Sequence, residues 1–146
     1  MNIKKIKNRK KIQIGKIRLT LMAEWCSSAL WYKSNSKNGM IEIEKLPKEI
    51  HILKDEIKQW NDQWMEIASI GLNSWFNEDE IKDLEEMVIK IEQEQQDIDY
   101  EEIERLRKLN NKKGYEIAYK IKELLKFKKF DICYYDEILQ ERILIK

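Results

Sequence analysis

Glycine, proline, histidine and cysteine are all scarce in this chain of 146 residues. The four glycines stand singly, so the sequence contains no glycine-rich loop of the kind that cradles a phosphate group. A single proline argues against a turn-rich β-sandwich and favours long helices. No apolar run approaches the roughly 18 residues that a bilayer span needs. We therefore expect no contact with a membrane and a location in the cytoplasm.

Residues with reactive side chains are equally few. Cys26 and Cys133 lie far apart, which favours two small buried thiols, although a disulfide between neighbouring strands is also compatible with the sequence. A nucleophile needs a base within hydrogen-bond reach, and His51 is the single imidazole that could serve Cys26. His51 also has no second metal-binding residue at ligand spacing. We expect a protein that is not an enzyme and that needs no metal or cofactor.

Charge is separated along the chain, although the net charge is only +1. Residues 1–41 carry ten Lys and Arg against one Glu, for a net charge of +9. Residues 42–104 have a net charge of −14, and residues 105–146 have a net charge of +6. Burial of unpaired carboxylates is too costly for a block of this size. The acidic block must therefore lie mostly on a solvated surface.

Two segments have the pattern of buried strands. Residues 17–23 alternate apolar and polar side chains and end apolar on both faces, as in a strand that is covered on both sides. Residues 130–135, FDICYY, form a second β-rich run. Residues 40–44 are a candidate third strand that would pair with the first as a hairpin, and residues 142–146 are a candidate edge strand.

Helical periodicity covers much of the remaining sequence. One helix is predicted to start at Pro47, where the missing N–H costs nothing. Its apolar positions, spaced three or four residues apart, are Ile50, Leu53, Ile57, Trp60, Trp64 and Ile67. Asn77 and Glu80 form a capping box that predicts a second helix. A third begins at Asp99, and the sequence leaves open whether it continues through Gly114, since one glycine costs only about 1 kcal/mol.

These elements predict an α+β fold. A small sheet that includes residues 17–23 and 130–135, with 40–44 as a further candidate, would be covered by three or four helices. Residues 16–146 would form a single domain, and residues 1–15 would form a basic N-terminal arm.

Several short motifs resemble a set of small bacterial proteins. They are MAEWCSSALW at 22–31, Leu46-Pro47, WNDQW at 60–64, GYEIAYKIKELL at 114–125 and the closing strand. Some of the proteins that carry such motifs look like immunity proteins of polymorphic or contact-dependent inhibition toxins. The resemblance covers about residues 17–65 and 114–136. It implies a non-enzymatic immunity protein that binds and neutralises a cognate bacterial toxin.

The charge map suggests where such a toxin would bind. A nuclease-like toxin needs a basic cleft for nucleic acid, and an acidic helical surface could occlude that cleft. The candidate partner-binding residues are Asp79, Asp83, Glu86, Glu101 and Glu104. Two alternatives stay open: an acidic face that serves solubility alone, and a nucleic-acid adaptor that works through the basic arm.

Overall fold

The computed structural model describes residues 17–70 and 99–146, and these form an α+β fold. The strands are β1 (Ile17–Leu21), β2 (Leu30–Lys33), β3 (Asn38–Met40), β4 (Phe130–Asp136) and β5 (Glu141–Leu144). The α-helices of the described residues are α1 (Lys54–Ser69) and α2 (Tyr100–Leu124). Two 3₁₀ helices, Ile43–Lys45 and Lys48–Leu53, precede α1. The predicted basic arm at 1–15 and the helix predicted from Asn77 lie outside the described residues.

The five strands of the described residues form one mixed sheet in the order β3-β2-β1-β4-β5. β1 and β4 are parallel neighbours at the centre, with Leu19 opposite Ile132, and the other pairs are antiparallel. The strands predicted at 17–23 and 130–135 are therefore confirmed, and β5 confirms the edge strand predicted near the end of the chain.

The prediction of a strand over 40–44 that pairs with the first strand is wrong. β3 ends at Met40 and pairs with β2 instead of β1, with Trp31 opposite Met40. The chain turns into a 3₁₀ helix at Ile43, which buries that side chain in the core. Residues 40–44, MIEIE, alternate apolar and polar side chains as a strand does. A short 3₁₀ helix can produce the same pattern, because it can also bury one apolar residue and expose its neighbours.

Of the three or four predicted helices, the described residues contain two, α1 and α2. The sequence left open whether the helix from Asp99 continues through Gly114, and the structure shows one continuous helix, α2. α1 begins at Lys54 rather than at Pro47, and the residues between them form a 3₁₀ helix, where the Ile50 N–H donates to the Pro47 carbonyl at 3.2 Å. No helix of the described ranges has the length and apolarity required to cross a bilayer.

The core lies between the sheet and the two helices. Leu19, Leu21 and Ile132 from the central strands pack against Trp60 of α1 and Ile117 of α2, and all five are almost fully buried. The helices are also joined by reciprocal hydrogen bonds. The Trp60 indole donates to the Asn110 carbonyl at 2.9 Å, and the Asn110 amide donates to the Trp60 carbonyl at 3.3 Å. These bonds satisfy polar groups that would otherwise be costly to bury.

Candidate functional site: a face at the carboxyl ends of two parallel strands

The parallel pairing of β1 and β4 brings two turns to one edge of the sheet. The chain leaves β1 through residues 24–29 and leaves β4 through residues 137–140. Trp64 of α1 and Arg107 of α2 border the same edge, where they line a small cleft together with Glu137. We call the two turns together with Trp64 and Arg107 the turn face. Edges of this kind, outside the carboxyl ends of parallel strands, are frequent ligand sites in α/β sheets.

The first turn is held in shape by a buried asparagine of α1. The Asn61 side chain accepts a hydrogen bond from the Glu24 N–H at 3.0 Å and donates to the Glu24 carbonyl at 3.1 Å. It also donates to the Ser27 carbonyl at 3.5 Å. Within the same turn, Cys26 and Ala29 have positive φ angles of 50° and 62°, which non-glycine residues rarely adopt. The bonds from Asn61 offset the local strain and fix the direction in which the turn projects.

The hydroxyl groups of the turn are engaged in structural hydrogen bonds. Ser28 Oγ donates to the Ile41 carbonyl at 2.6 Å, which ties the turn to the residue after β3. Ser27 Oγ donates to the Glu24 carbonyl at 3.1 Å.

Cys133 is a buried thiol as predicted, and burial raises its pKa. Cys26 was predicted to be buried, but it is exposed, because it lies in the turn after β1 and not in a strand. Both thiols are free.

Trp25 projects from this turn and leaves 46% of its surface exposed. Its ring contacts Trp64 edge to face, with ring centroids 5.5 Å apart and an interplanar angle of 64°. That arrangement is the preferred geometry of aromatic pairs. The contact fixes the position of Trp25 without burying it, so an indole face stays accessible.

A groove of about 390 Å³ lies between the first turn, β3 and α1. Cys26, Met40 and Met65 line it together with the apolar side chains of Ile43 and Ile57. The charged groups at the groove are Glu42, Lys54, Lys58 and Asp62. Two methionines can adapt to differently shaped apolar groups. The groove can therefore accept an apolar side chain of a binding partner.

A smaller cleft of about 60 Å³ lies near the second turn, lined by Trp64, Arg107, Asn110 and Glu137 together with Ile67 and Ala68. Burial raises the pKa of the Glu137 carboxyl, and the neighbouring charge of Glu24 raises it further. Arg107 and the Trp64 indole act in the opposite direction, and the net pKa stays above its ordinary value. Arg107 also donates to Glu104 at 2.8 Å. Exposed Ile138 and Leu139 follow Glu137 and add apolar surface.

The second turn is anchored by a buried polar network that begins at Asp136. One carboxylate oxygen accepts from the backbone N–H groups of Ile138 and Leu139 at 2.8 and 2.9 Å and from the Asn111 amide at 3.1 Å. The other oxygen accepts from the Tyr115 hydroxyl at 2.5 Å. The Tyr134 hydroxyl donates to Asn111 at 2.8 Å. No buried side-chain polar atom of the described residues lacks a hydrogen-bond partner. The network therefore fixes the turn from beneath.

The stability of the fold is expected to fall at both ends of the pH range because of this network. Burial acts to raise the pKa of Asp136, but the hydrogen bonds from Tyr115, Leu139, Ile138 and Asn111 outweigh it and hold the pKa below its usual value. A carboxyl whose pKa is lower in the folded state contributes stability above its unfolded pKa, and that contribution is lost as the pH falls through the folded pKa.

The opposite sign applies to Tyr115. Burial and the bond to Asp136 raise the pKa of Tyr115 to about 12 from an ordinary value of 10.0. The contribution of Tyr115 to stability is therefore complete below its ordinary pKa and is lost as the pH rises toward the folded pKa. Urea unfolding across the pH range measures both effects. Asp136→Asn should reduce the loss of stability at low pH, whereas Asp55→Asn, at an exposed position, should leave that loss unchanged. An equal loss of stability at low pH in the two variants would contradict this account.

The histidine and cysteine that were considered as a catalytic pair are not brought together in the groove. The His51 ring Nε2 donates to the Leu46 carbonyl at 2.9 Å, and His51 does not line the groove that contains Cys26. Among residues 17–70 and 99–146, no three His, Cys, Asp or Glu side chains are grouped so that they could hold a metal ion. The turn face offers aromatic, apolar and charged groups for binding.

The structure places two of the five predicted partner-binding residues. Glu101 and Glu104 lie exposed near the start of α2, and Glu104 pairs with Arg107 at 2.8 Å. Because Arg107 lines the cleft beside Glu137, the acidic start of α2 adjoins the turn face. The other three predicted contacts, Asp79, Asp83 and Glu86, lie outside the described residues.

Sequence reasoning did not identify Trp25, Asn61 or Glu137 as functional candidates. The signal for Trp25 was present, because it interrupts the apolar period that ends at Ala23 and is followed by small polar residues. Asn61 and Glu137 had no distinctive signal, since each acquires its position only through contacts 37 and 26 residues away in sequence, with Glu24 and Asn111 respectively.

Comparison of the chain with protein-family models, with curated proteins and with solved structures found no match.

Proposed function

We propose that the protein is a non-enzymatic immunity protein that acts in the cytoplasm, where it binds and neutralises a cognate bacterial toxin. The observation that carries this proposal is the exposed Trp25, held in place by Trp64 and by a rigid turn. Fixed, half-exposed tryptophans are typical anchors of protein interfaces, because they bury a large area at little cost in conformational entropy.

The surroundings of Trp25 have the composition of an interface. Apolar surface from Met40, Ile138 and Leu139 lies near charged groups at the rim, and each of these three side chains is at least two-fifths exposed. Protein interfaces combine an apolar, aromatic centre with a polar rim in this way. A rigid face of this kind favours affinity, because little conformational freedom is lost when the partner binds.

The negative charge near the turn face supports a basic partner. The start of α2 carries exposed Glu101 and Glu104 beside the turn face, and the acidic block of residues 42–104 has a net charge of −14. A toxin that acts on nucleic acid presents a basic cleft, so complementary charge would speed its association and select it over other partners. The acidic helical surface and the turn face would then contact one toxin domain together.

The proposal is tested by co-expression with the toxin domain encoded immediately upstream of this chain. The protein should restore growth and copurify with the toxin domain. Asp79→Lys, Asp83→Lys and Glu86→Lys together should weaken the complex, because the charges would then repel a basic partner. Absence of an encoded toxin, or absence of both rescue and complex, would contradict the function. A complex that resists the three reversals would contradict the contribution of the acidic surface alone.

A further inference from the structure

Two carboxylates and two indoles converge on the turn face. Glu24 and Glu137 are both partly buried, and each lies in one of the two turns of the turn face. The Trp25 ring follows Glu24 directly and contacts Trp64, which lines the small cleft together with Glu137. The four side chains therefore form one cluster, although they come from three separate parts of the chain.

Among residues 17–70 and 99–146, the negative charge of this cluster is only partly balanced. Arg107 lines the cleft with Glu137, and its guanidinium also donates to Glu104 at 2.8 Å. Within the described residues, the Glu24 carboxylate accepts one hydrogen bond, from the Trp25 N–H at 2.9 Å. A carboxylate without a full counter-charge lowers its free energy when a cation binds beside it.

A guanidinium group fits this combination of surfaces better than other common cations do. It is planar, so it can stack on the accessible indole of Trp25 through cation–π attraction. Its forked N–H groups can at the same time donate to a carboxylate in a bidentate arrangement. An ammonium group is a compact and strongly hydrated charge, so it gains less from an aromatic face.

We propose that Glu24, Trp25, Trp64 and Glu137 form a receptor for one arginine side chain of the protein partner. This inference rests on the proposed function, since a basic toxin domain supplies the arginine, and it names the contact at the centre of the interface. The adjoining groove, with Met40 and Met65, accepts an apolar residue next to that arginine.

The receptor is tested with N-acetyl-arginine amide as the probe and the full ¹⁵N-labelled chain as the target. Indole N–H signals are recorded by NMR, and the signal of Trp25 is identified by its loss in Trp25→Phe. The Trp25 and Trp64 signals should shift and saturate at millimolar probe. The citrulline analogue, which has nearly the same shape but no charge, should leave both signals in place.

Variants separate charge recognition from unspecific stacking. Glu24→Gln with Glu137→Gln should weaken probe binding about tenfold, the scale of a charge-assisted hydrogen bond. Glu123→Gln, at an exposed glutamate near the end of α2, should bind like the unaltered protein. If the double variant does not fold, the comparison of arginine with citrulline on the unaltered chain decides the question.

Three results would overturn the receptor: no saturable shift of the Trp25 signal, an equal response to the citrulline analogue or to N-acetyl-lysine amide, or unchanged binding by the folded double variant. The titration contains no toxin, so its failure leaves growth rescue by the immunity protein unaffected. Conversely, saturable arginine binding without growth rescue would retain the receptor and reject the toxin as the partner.

Discussion

Gly114→Ala is expected to destabilise the fold by about 3 kcal/mol, the upper range for overpacking a filled core. Alanine is normally the better helix former by about 1 kcal/mol, so the expected sign is opposite to the usual one. A Cβ atom at this position would clash with the Tyr134 hydroxyl oxygen and would lie 2.5 Å from two ring carbons. Tyr134 cannot move away easily, because it is fully buried and its hydroxyl donates to Asn111 at 2.8 Å.

Urea unfolding of Gly114→Ala and of Lys112→Ala measures this effect. Lys112 lies exposed in the same helix two residues earlier, and its replacement should change the free energy of unfolding by less than about 0.5 kcal/mol. A Gly114→Ala protein as stable as the unaltered chain would show that helix α2 and strand β4 do not approach each other as described.

Trp60→Ala is expected to cost about 3–5 kcal/mol, the range for truncating a buried aromatic residue. Trp60 is 1% exposed and packs among the core residues of the sheet and of α2. The change also leaves the Asn110 carbonyl without its indole donor, which adds the cost of a buried unsatisfied acceptor. Both consequences act on the same contact between α1 and α2.

Trp64→Ala is the matched comparison for Trp60→Ala, because the two tryptophans lie one helical turn apart on α1. Trp64 is only partly buried, so its truncation should cost clearly less. Thermal and urea unfolding of both variants provide the measurement. If Trp64→Ala were the more destabilising change, the inner face of α1 would have to be turned toward the second tryptophan.

Both α-helices of the described residues could be located from the sequence, but the continuity of α2 through Gly114 could not be decided from it. Regular apolar spacing located both α1 and α2, and the buried positions Ile57, Ile117 and Ile121 follow it. The polar run Asn110 to Gly114 suggested a break, yet the helix continues through it. Asn110 and Asn111 are buried there because each bonds a partner distant in sequence, at Trp60 and at Asp136. Such pairings cannot be inferred from local composition.

The central strands were predictable because their apolar runs are long, whereas β2 and β3 were not. β2 has four residues and β3 has three, which is too few for a clear alternation. Their pairing depends on the turn after Ala23, where two left-handed residues reverse the chain. Neither residue is a glycine or an asparagine, so the turn carries no familiar signature.

For the candidate site, the sequence alone suggested only an acidic surface. Glu101 and Glu104 could be proposed from the acidic block, and Asp79, Asp83 and Glu86 stay predictions. The turn face had no equivalent signal, because it is assembled from two turns that meet through the parallel pairing of β1 and β4. Long-range pairing of that kind determines which side chains become neighbours, and periodicity within one segment contains no information about it.

The measurement that tests the central claim most directly is the dissociation constant of the complex between this protein and its toxin domain, for Trp25→Ala and for Phe127→Ala. Phe127 is a matched control, since it is 89% exposed and precedes β4, at the opposite end of the strand from the turn face. Trp25→Ala should bind at least about tenfold more weakly, as expected for an interface anchor, while Phe127→Ala should bind like the unaltered protein. Unchanged binding by a folded Trp25→Ala protein would show that the toxin does not dock on the turn face.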